Sequence, residues 1–501
     1  MGAERYAEMR IDTMAAGADA GWAVRLDRMR LLPPALRPDA RKHPQRDPSA
    51  GAAATAQRQE APVVHHRLRV SSVLALGVVA ALVVPVLGGA VARSSPVPGA
   101  DAPAPAALPR PADTSVAAWD AVGTQAFTAS GLTPVEGHTI FAYVAIAVYD
   151  SVMAVQQDYT PFAVDLDAPA GSSAEAAVAA AAHAILVHYL PAQEAAIIGP
   201  AYTASLAALP ADQATADGIA IGEQVASAVI ALRADDGFRA AITYTAPNPP
   251  VPGAWLPTAA TPPIGPYLGL MRPFALHSAD QFRPDGPPAL ASKKWARDYN
   301  EVKEIGSSSS STRTAAQTLA ARFWAEPPVQ QARGSFRRFV LDHELDVIDA
   351  ARFMAMISVT YADGLIACYD AKYHYAAWRP VTAIRVGDTD GNNATTGDAT
   401  WSPLVGTPNH PEYPSAHSCV TPSAGIVIAR FLGTDEIDFT VPSLTGLGDR
   451  HFATVKELQD EVSNARIWGG IHFRTAVEDG STIARKTANL VLAHSFRAVE
   501  N

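Results

Sequence analysis

The sequence predicts an all-α protein built of helical bundles, and three observations predict it. From Ser115 onward, Ala- and Val-rich stretches carry apolar residues at three- and four-residue spacing, the period of a helix with one buried face. Strand signals are few and short. The segment 344–372 is apolar nearly all round, as a helix at the centre of a core must be. In chain order the spacing predicts helices over 115–129, 138–156, 172–190, 192–208 and 211–234, punctuated by Pro134 and Pro191. A Pro-rich loop is expected at 247–268, and Gly306 with the run Ser307–Ser311 reads as a mobile loop. Helical patterning covers 290–304, 312–324 and 344–372, then 418–433, 455–467 and 475–498. These stretches divide into an N-terminal helical half, 115–270, and a C-terminal half, 271–501.

Composition sets the outer limits. The 501 residues are 48% hydrophobic and 18% charged, enough apolar material for a sizeable core and unlike a disordered or collagenous chain. The formal charge of −10 is unevenly spread: residues 1–92 carry 12 basic and 8 acidic residues, leaving 27 basic and 41 acidic beyond. An acidic body excludes a nucleic-acid scaffold, which needs a basic face, but not a local pocket for one anion.

Val73 to Leu87 is almost wholly apolar, follows His65, His66, Arg67 and Arg69, and precedes the small-x-small site Ala90-Val91-Ala92. That order reads as a secretory signal, and hence a secreted or extracytoplasmic protein; the rival reading is an uncleaved signal anchor, the only membrane contact expected. Residues 1–92 are therefore set aside from the fold, and 93–114 read as a Pro/Ala-rich tether. Cys368 and Cys419 are the only cysteines, so one disulfide is conceivable and a disulfide scaffold is excluded. There is no HExxH, Walker or GxGxxG signature, and Gly446 and Gly448 lie in a loop-like stretch without a preceding strand.

Three short segments carry chemistry. In Lys372-Tyr-His-Tyr-Ala-Ala-Trp-Arg379-Pro380 a continuous helix would set Lys372 and Arg379 two turns apart, about 10 Å along one face, with Pro380 ending the helix. Aromatic neighbours argue against two merely solvated cations. In His410-Pro-Glu-Tyr-Pro-Ser415-Ala416-His417, prolines and small residues before an apolar run place Ser415 to His417 at a helix N-terminus, where free amides favour an anion. Ser415 could simply cap that helix, but capping does not account for His410 and His417 flanking the same turn. In Arg466-Ile-Trp-Gly469-Gly470-Ile-His472, the glycine pair permits a turn that brings Arg466 and His472 together, which six residues of regular helix would not. Jointly the segments supply two arginines, a lysine, a helix start with a serine, and two or three histidines. That set suits a tetrahedral oxyanion.

The pattern K-x6-RP, then PS-x-H, then R-x5-H resembles the phosphatidic-acid-phosphatase type 2/vanadium haloperoxidase superfamily. A broader likeness to secreted bacterial haloperoxidase-like proteins includes PYLGLMRPF and the stretch around DYNEVK. The resemblance implies two four-helix-bundle-like halves with long connecting loops and the oxyanion at one end of the second bundle. By motif, Lys372, Arg379, Ser415, the amide of Ala416 and Arg466 would hold the oxyanion. His472 would be the axial ligand of vanadate or a phosphatase's nucleophile, and His417 the acid–base group. This sequence departs from the pattern at Ala416 (usually Gly), Ala465 (often Ser), Ala476 (commonly Asp, supporting the histidine) and Tyr369 (often Trp). His410 resembles bromoperoxidases, where chloroperoxidases carry Phe.

Two enzymes fit: a vanadate-dependent haloperoxidase acting on halide and hydrogen peroxide, which is favoured, or a secreted acid phosphatase cleaving a phosphate ester without a cofactor. A catalytically inactive helical binding protein is a third reading, motivated by Ala416 and Ala476. No nucleic-acid partner is expected, and a homodimer is left open.

Overall fold

The computed structural model describes residues 115–499. The export segment (1–92) and the tether (93–114) expected from sequence lie outside them. The protein is all-α: 58% of the described residues are helical, with only two strands among them. The helices are α1 (Ser115–Ser130), α2 (Pro134–Gln156), α3 (Ala174–Tyr189), α4 (Gly199–Ala207), α5 (Gln213–Arg233), α6 (Lys293–Ile305) and α7 (Ala315–Phe323). There follow α8 (Pro328–Asp342), α9 (Val347–Tyr375), α10 (Pro380–Arg385), α11 (Ala416–Leu432), α12 (Val455–Trp468) and α13 (Arg474–His494). A short antiparallel ribbon, β1 (Glu436–Val441) with β2 (Arg450–Thr454), links α11 to α12.

Helices α1, α2, α3 and α5 pack on one another as one bundle, and α9, α11, α12 and α13 as a second. The bundles meet where α2 lies along α9. Both helices are apolar all round because both are covered all round. Each is long and apolar enough to cross a membrane, yet 94% of its most apolar window is buried inside the protein. Pro134 opens α2 at its first position, where a missing N–H costs nothing, and Glu136 accepts the Thr133 N–H at 2.9 Å. Asp346 caps α9 by accepting the Asp349 N–H at 2.9 Å.

Two helices escape the sequence reading. The short α10 is one, and α8 is the other, because its inward face carries a charge. Arg333 there is buried, donates to the Asp120 carboxylate through Nε at 2.7 Å, and donates to the Ser358 hydroxyl at 2.9 Å. The serine run is tied down: the Ser308 N–H donates to the Ser402 carbonyl at 2.8 Å, and Arg313 donates to the carbonyls of Ile305 and Ser307, each at 2.6 Å.

Buried carboxylates fasten loops to both central helices. Asp150 of α2 accepts backbone N–H groups from Phe162, Ala163 and Val164 at 2.6–2.9 Å. Asp363 of α9 does the same for Phe274, Ala275 and Leu276 at 2.7–2.9 Å. Burial pushes the Asp150 carboxyl up to about 6 and raises that of Asp363, while the donated bonds oppose the shift. Asp363→Ala removes the acceptor of three backbone donors at once. The expected loss is about 3 kcal/mol or more of unfolding free energy, read by urea denaturation; a loss below about 1 kcal/mol contradicts the clamp.

Candidate active site

The site forms where the C-terminal end of α9, the N-terminus of α11 and the C-terminal end of α12 converge. Helix α9 stops at Tyr375 because Ala376 takes a left-handed conformation (φ 44°) and its N–H closes on the Lys372 carbonyl. Lys372 and Arg379 are thus not on one continuous helix as the spacing suggested. Pro380 opens α10 and ends nothing, with Arg379 as the residue just before it. The break is what turns Arg379 inward.

Lys372 is fully buried, and its Nζ donates to the carbonyls of Pro411 (2.9 Å), Glu412 (3.1 Å) and Pro414. It pins the loop that leads into α11 and adds its charge to the site from behind that loop. Burial lowers its pKa to about 8. Arg379, also fully buried, donates from Nε to the His410 carbonyl at 2.8 Å and from Nη2 to the His410 ring, 3.0 Å from Nδ1 and 3.3 Å from Nε2. A third nitrogen, Nη1, donates to the Ile471 carbonyl at 2.9 Å and to His472 Nε2 at 3.2 Å. Burial pushes its pKa down to about 10.

Arg466 sits in the last turn of α12, donates to the Trp324 carbonyl, and has its Nε buried with no partner. Burial lowers its pKa to about 9, with Arg379 adding to the effect. No carboxylate pairs with any of these three buried cations among the described residues. After Arg466 the chain turns at Gly470 (φ 76°), where an added Cβ would lie 2.3 Å from the Gly306 carbonyl oxygen. Only glycine allows this crossing, and the crossing brings His472 back toward Arg466.

Ser415 occupies the N-cap position of α11, yet its hydroxyl makes no capping bond; it is buried and has no partner. The serine is therefore not there merely to cap the helix. Beyond it, Ala416 and His417 form the first turn, whose amides have no carbonyl behind them in the helix. The three histidines differ in setting. His472 is 1% exposed, with Nδ1 2.9 Å from Glu412 Oε1. His410 is buried against Tyr369, ring centroids 5.4 Å apart. His417 is half-buried and has no hydrogen-bonding side chain among the described residues. All three are held well below the usual imidazole pKa, first by burial and then by nearby cations.

Two residues escape the sequence reading. Glu412 lies inside a quoted motif, but nothing in the sequence shows that its carboxylate reaches His472. Burial raises its pKa to about 7. His138 comes from α2 of the other bundle, and burial, with Arg333 next, lowers its pKa to about 3. It shares with His410, His417, Arg466 and His472 a cavity of about 210 Å³ walled by Phe336, Tyr361 and Tyr369. Cys368 and Cys419 are both buried and free, and the Cys368 thiol rests against the Pro414 carbonyl at 3.8 Å.

Ser415 Oγ and Arg466 Nε are buried donors without partners, and Ala416, His417, Arg466 and His472 line the same cavity. The donor set fits a tetrahedral oxyanion such as vanadate or phosphate.

Residues 352–501 match the family described as the VCPO second helical-bundle domain. No curated protein matches the chain in sequence. Among solved structures, one described as the first bacterial vanadium-dependent iodoperoxidase is 25% identical, covers 77% of this chain and 97% of its own, and superposes with a TM-score of 0.67. The holo form of a bacterial vanadium-dependent chloroperoxidase shares the fold at 19% identity, covering 75% of this chain and 95% of that one with a TM-score of 0.60. Its apo form gives 18% identity, 73% and 94% coverage and a TM-score of 0.59. The family match over 352–501 and these structural likenesses support the vanadium haloperoxidase/phosphatidic-acid-phosphatase type 2 superfamily and indicate an enzyme of the haloperoxidase/phosphatase type.

Because the Ser415 hydroxyl bonds to nothing in the protein, Ser415→Ala is expected to leave unfolding free energy within about 0.5 kcal/mol of wild type. Its affinity for vanadate is expected to fall about fivefold or more, the equivalent of one hydrogen bond to a charged group. Calorimetric titration with vanadate and thermal unfolding separate the two quantities.

Proposed function

We propose that the protein is a vanadate-dependent haloperoxidase that uses hydrogen peroxide to oxidise halide. The observation that carries this reading is the trio of buried cations, Lys372, Arg379 and Arg466, with no carboxylate paired to them. Burying such charges alone is costly, and an oxyanion with several negative oxygens offsets that cost. Arg466 Nε, Ser415 Oγ, the Ala416 amide and Arg379 would hold its oxygens, and His472 Nε2 would bind the central atom. Lys372 fixes the loop and contributes charge at longer range. Vanadate, when bound, supplies the Lewis-acidic centre at which peroxide becomes electrophilic toward halide.

The protein's own groups do the rest. His417, partly open to the cavity, would be the group that accepts a proton there and returns it. The buried cations favour negative charge in the pocket throughout, without reorganisation. The walls of Phe336, Tyr361 and Tyr369 limit the water that reaches the site. His410, held by Arg379, borders the cavity where halide would approach, and the likeness to an iodoperoxidase supports a halide more easily oxidised than chloride. The basic, apolar and small-residue order of residues 65–92 supports export to the outside of the cell.

Purified full-length protein loaded with orthovanadate is expected to brominate or iodinate an organic acceptor only when peroxide is present. His417→Ala is expected to retain vanadate and lose about 10²–10⁴ in turnover, and His472→Ala to lose both. Hydrolysis of a phosphate ester without any halogenation would overturn the reading in favour of a phosphatase. Vanadate binding without turnover of either kind would overturn it in favour of a binding protein.

A further inference from the structure

His472 can serve as an axial ligand only if Nε2 carries a lone pair and points into the site. Two neighbours decide that, and their chemistry differs. Arg379 has donors only, so its contact of 3.2 Å to Nε2 requires Nε2 to be the accepting nitrogen. The proton of the neutral ring then sits on Nδ1, 2.9 Å from Glu412 Oε1. The same oxygen accepts the Phe473 backbone N–H at 3.0 Å, so one carboxylate oxygen grips His472 and the residue after it.

Glu412 is itself held without freedom to swing. Its N–H donates to the Ala377 carbonyl at 2.9 Å, and Lys372 Nζ donates to its carbonyl at 3.1 Å. Side chain and ring are each 2% exposed. Neither Arg379 nor Lys372 donates to the Glu412 carboxylate, so their charges act on it only through space, whereas His472 meets it directly. The superfamily pattern, in contrast, commonly has an Asp four residues after the histidine. Here that position is Ala476, whose methyl packs with Ala377 and Tyr413 and whose carbonyl accepts the Ser415 N–H at 3.0 Å.

We propose that Glu412 is the positioning residue of the axial histidine: from the loop ahead of α11 it fixes the Nδ1–H tautomer and ring orientation of His472, supplying the support that Ala476 lacks. The proposal rests on the reading of His472 as the oxyanion's ligand, and carboxylate support of this kind typically changes metal affinity about 10- to 100-fold.

The test uses full-length protein, two Glu412 variants and His472→Gln for assignment. In vanadate-free wild type with ¹⁵N-labelled histidine, the His472 signals, assigned by their loss in His472→Gln, are expected to show a protonated Nδ1 and a bare Nε2. In Glu412→Ala the Nε2–H form is expected to become populated, and vanadate affinity by calorimetry to fall at least tenfold. Glu412→Gln keeps an acceptor oxygen but no charge; it is expected to keep the tautomer and to bind vanadate at least fivefold more weakly. An unchanged tautomer in Glu412→Ala, or a vanadate affinity within twofold of wild type in Glu412→Gln, overturns the proposal. Should Glu412→Ala fail to fold, Glu412→Gln decides. Should wild type bind no vanadate, the haloperoxidase reading fails by itself, and the tautomer comparison still decides the role of Glu412.

Discussion

Three positive charges buried without a paired carboxylate impose the constraint on which the rest of this structure depends. Desolvation lowers the pKa of Lys372, Arg379 and Arg466 alike, to about 8, 10 and 9. A fold tolerates such a cluster only if fixed acceptors take up many of its donors. Carbonyls from residues 410, 411, 412, 414, 471 and 324 do so. Each carbonyl lies in irregular backbone between helices, where it is not committed to a helical ladder. The long connections are therefore the solvent of the cations, and the helices hold those connections in place.

The segment 410–415 gathers most of this. Lys372 and Arg379 take its carbonyls, Tyr413 anchors it to Asp479 at 2.6 Å, and Ser415 closes it onto Ala476. Within six residues it contributes a histidine, a buried carboxylate and an unpartnered hydroxyl to the same region. Its position relative to α13 sets the distance between the start of α11 and His472. Loop geometry and anion recognition are here one physical problem.

Much of this was legible beforehand, for reasons that can be named. Helix α9 announced itself through an all-round apolar composition, and Gly469-Gly470 announced a close backbone approach, borne out at Gly470, where an added Cβ would lie 2.3 Å from the Gly306 oxygen. Local signals carried both. What stayed hidden depended on partners far along the chain. Helix α8 hides behind Arg333, whose partner Asp120 lies 213 positions away. The break at Ala376 needs a left-handed alanine, which no local rule favours. The carboxylate of Glu412 finds His472 across 60 positions. The likeness of α9 and α2 to membrane spans has a related cause, since composition reports burial and not what does the burying.

The seam between α2 and α9 carries a practical consequence for anyone dissecting the molecule. Every residue assigned to the oxyanion lies after position 371, and the family match itself begins at 352. A fragment cut there would keep the whole recognition chemistry but begin partway into α9 and leave the side facing α2 bare to water. It would also lose His138 and Phe336 from the cavity wall. Modularity in sequence and autonomy in folding part company at this point. The portion that names the family is a passenger on a core that both halves build.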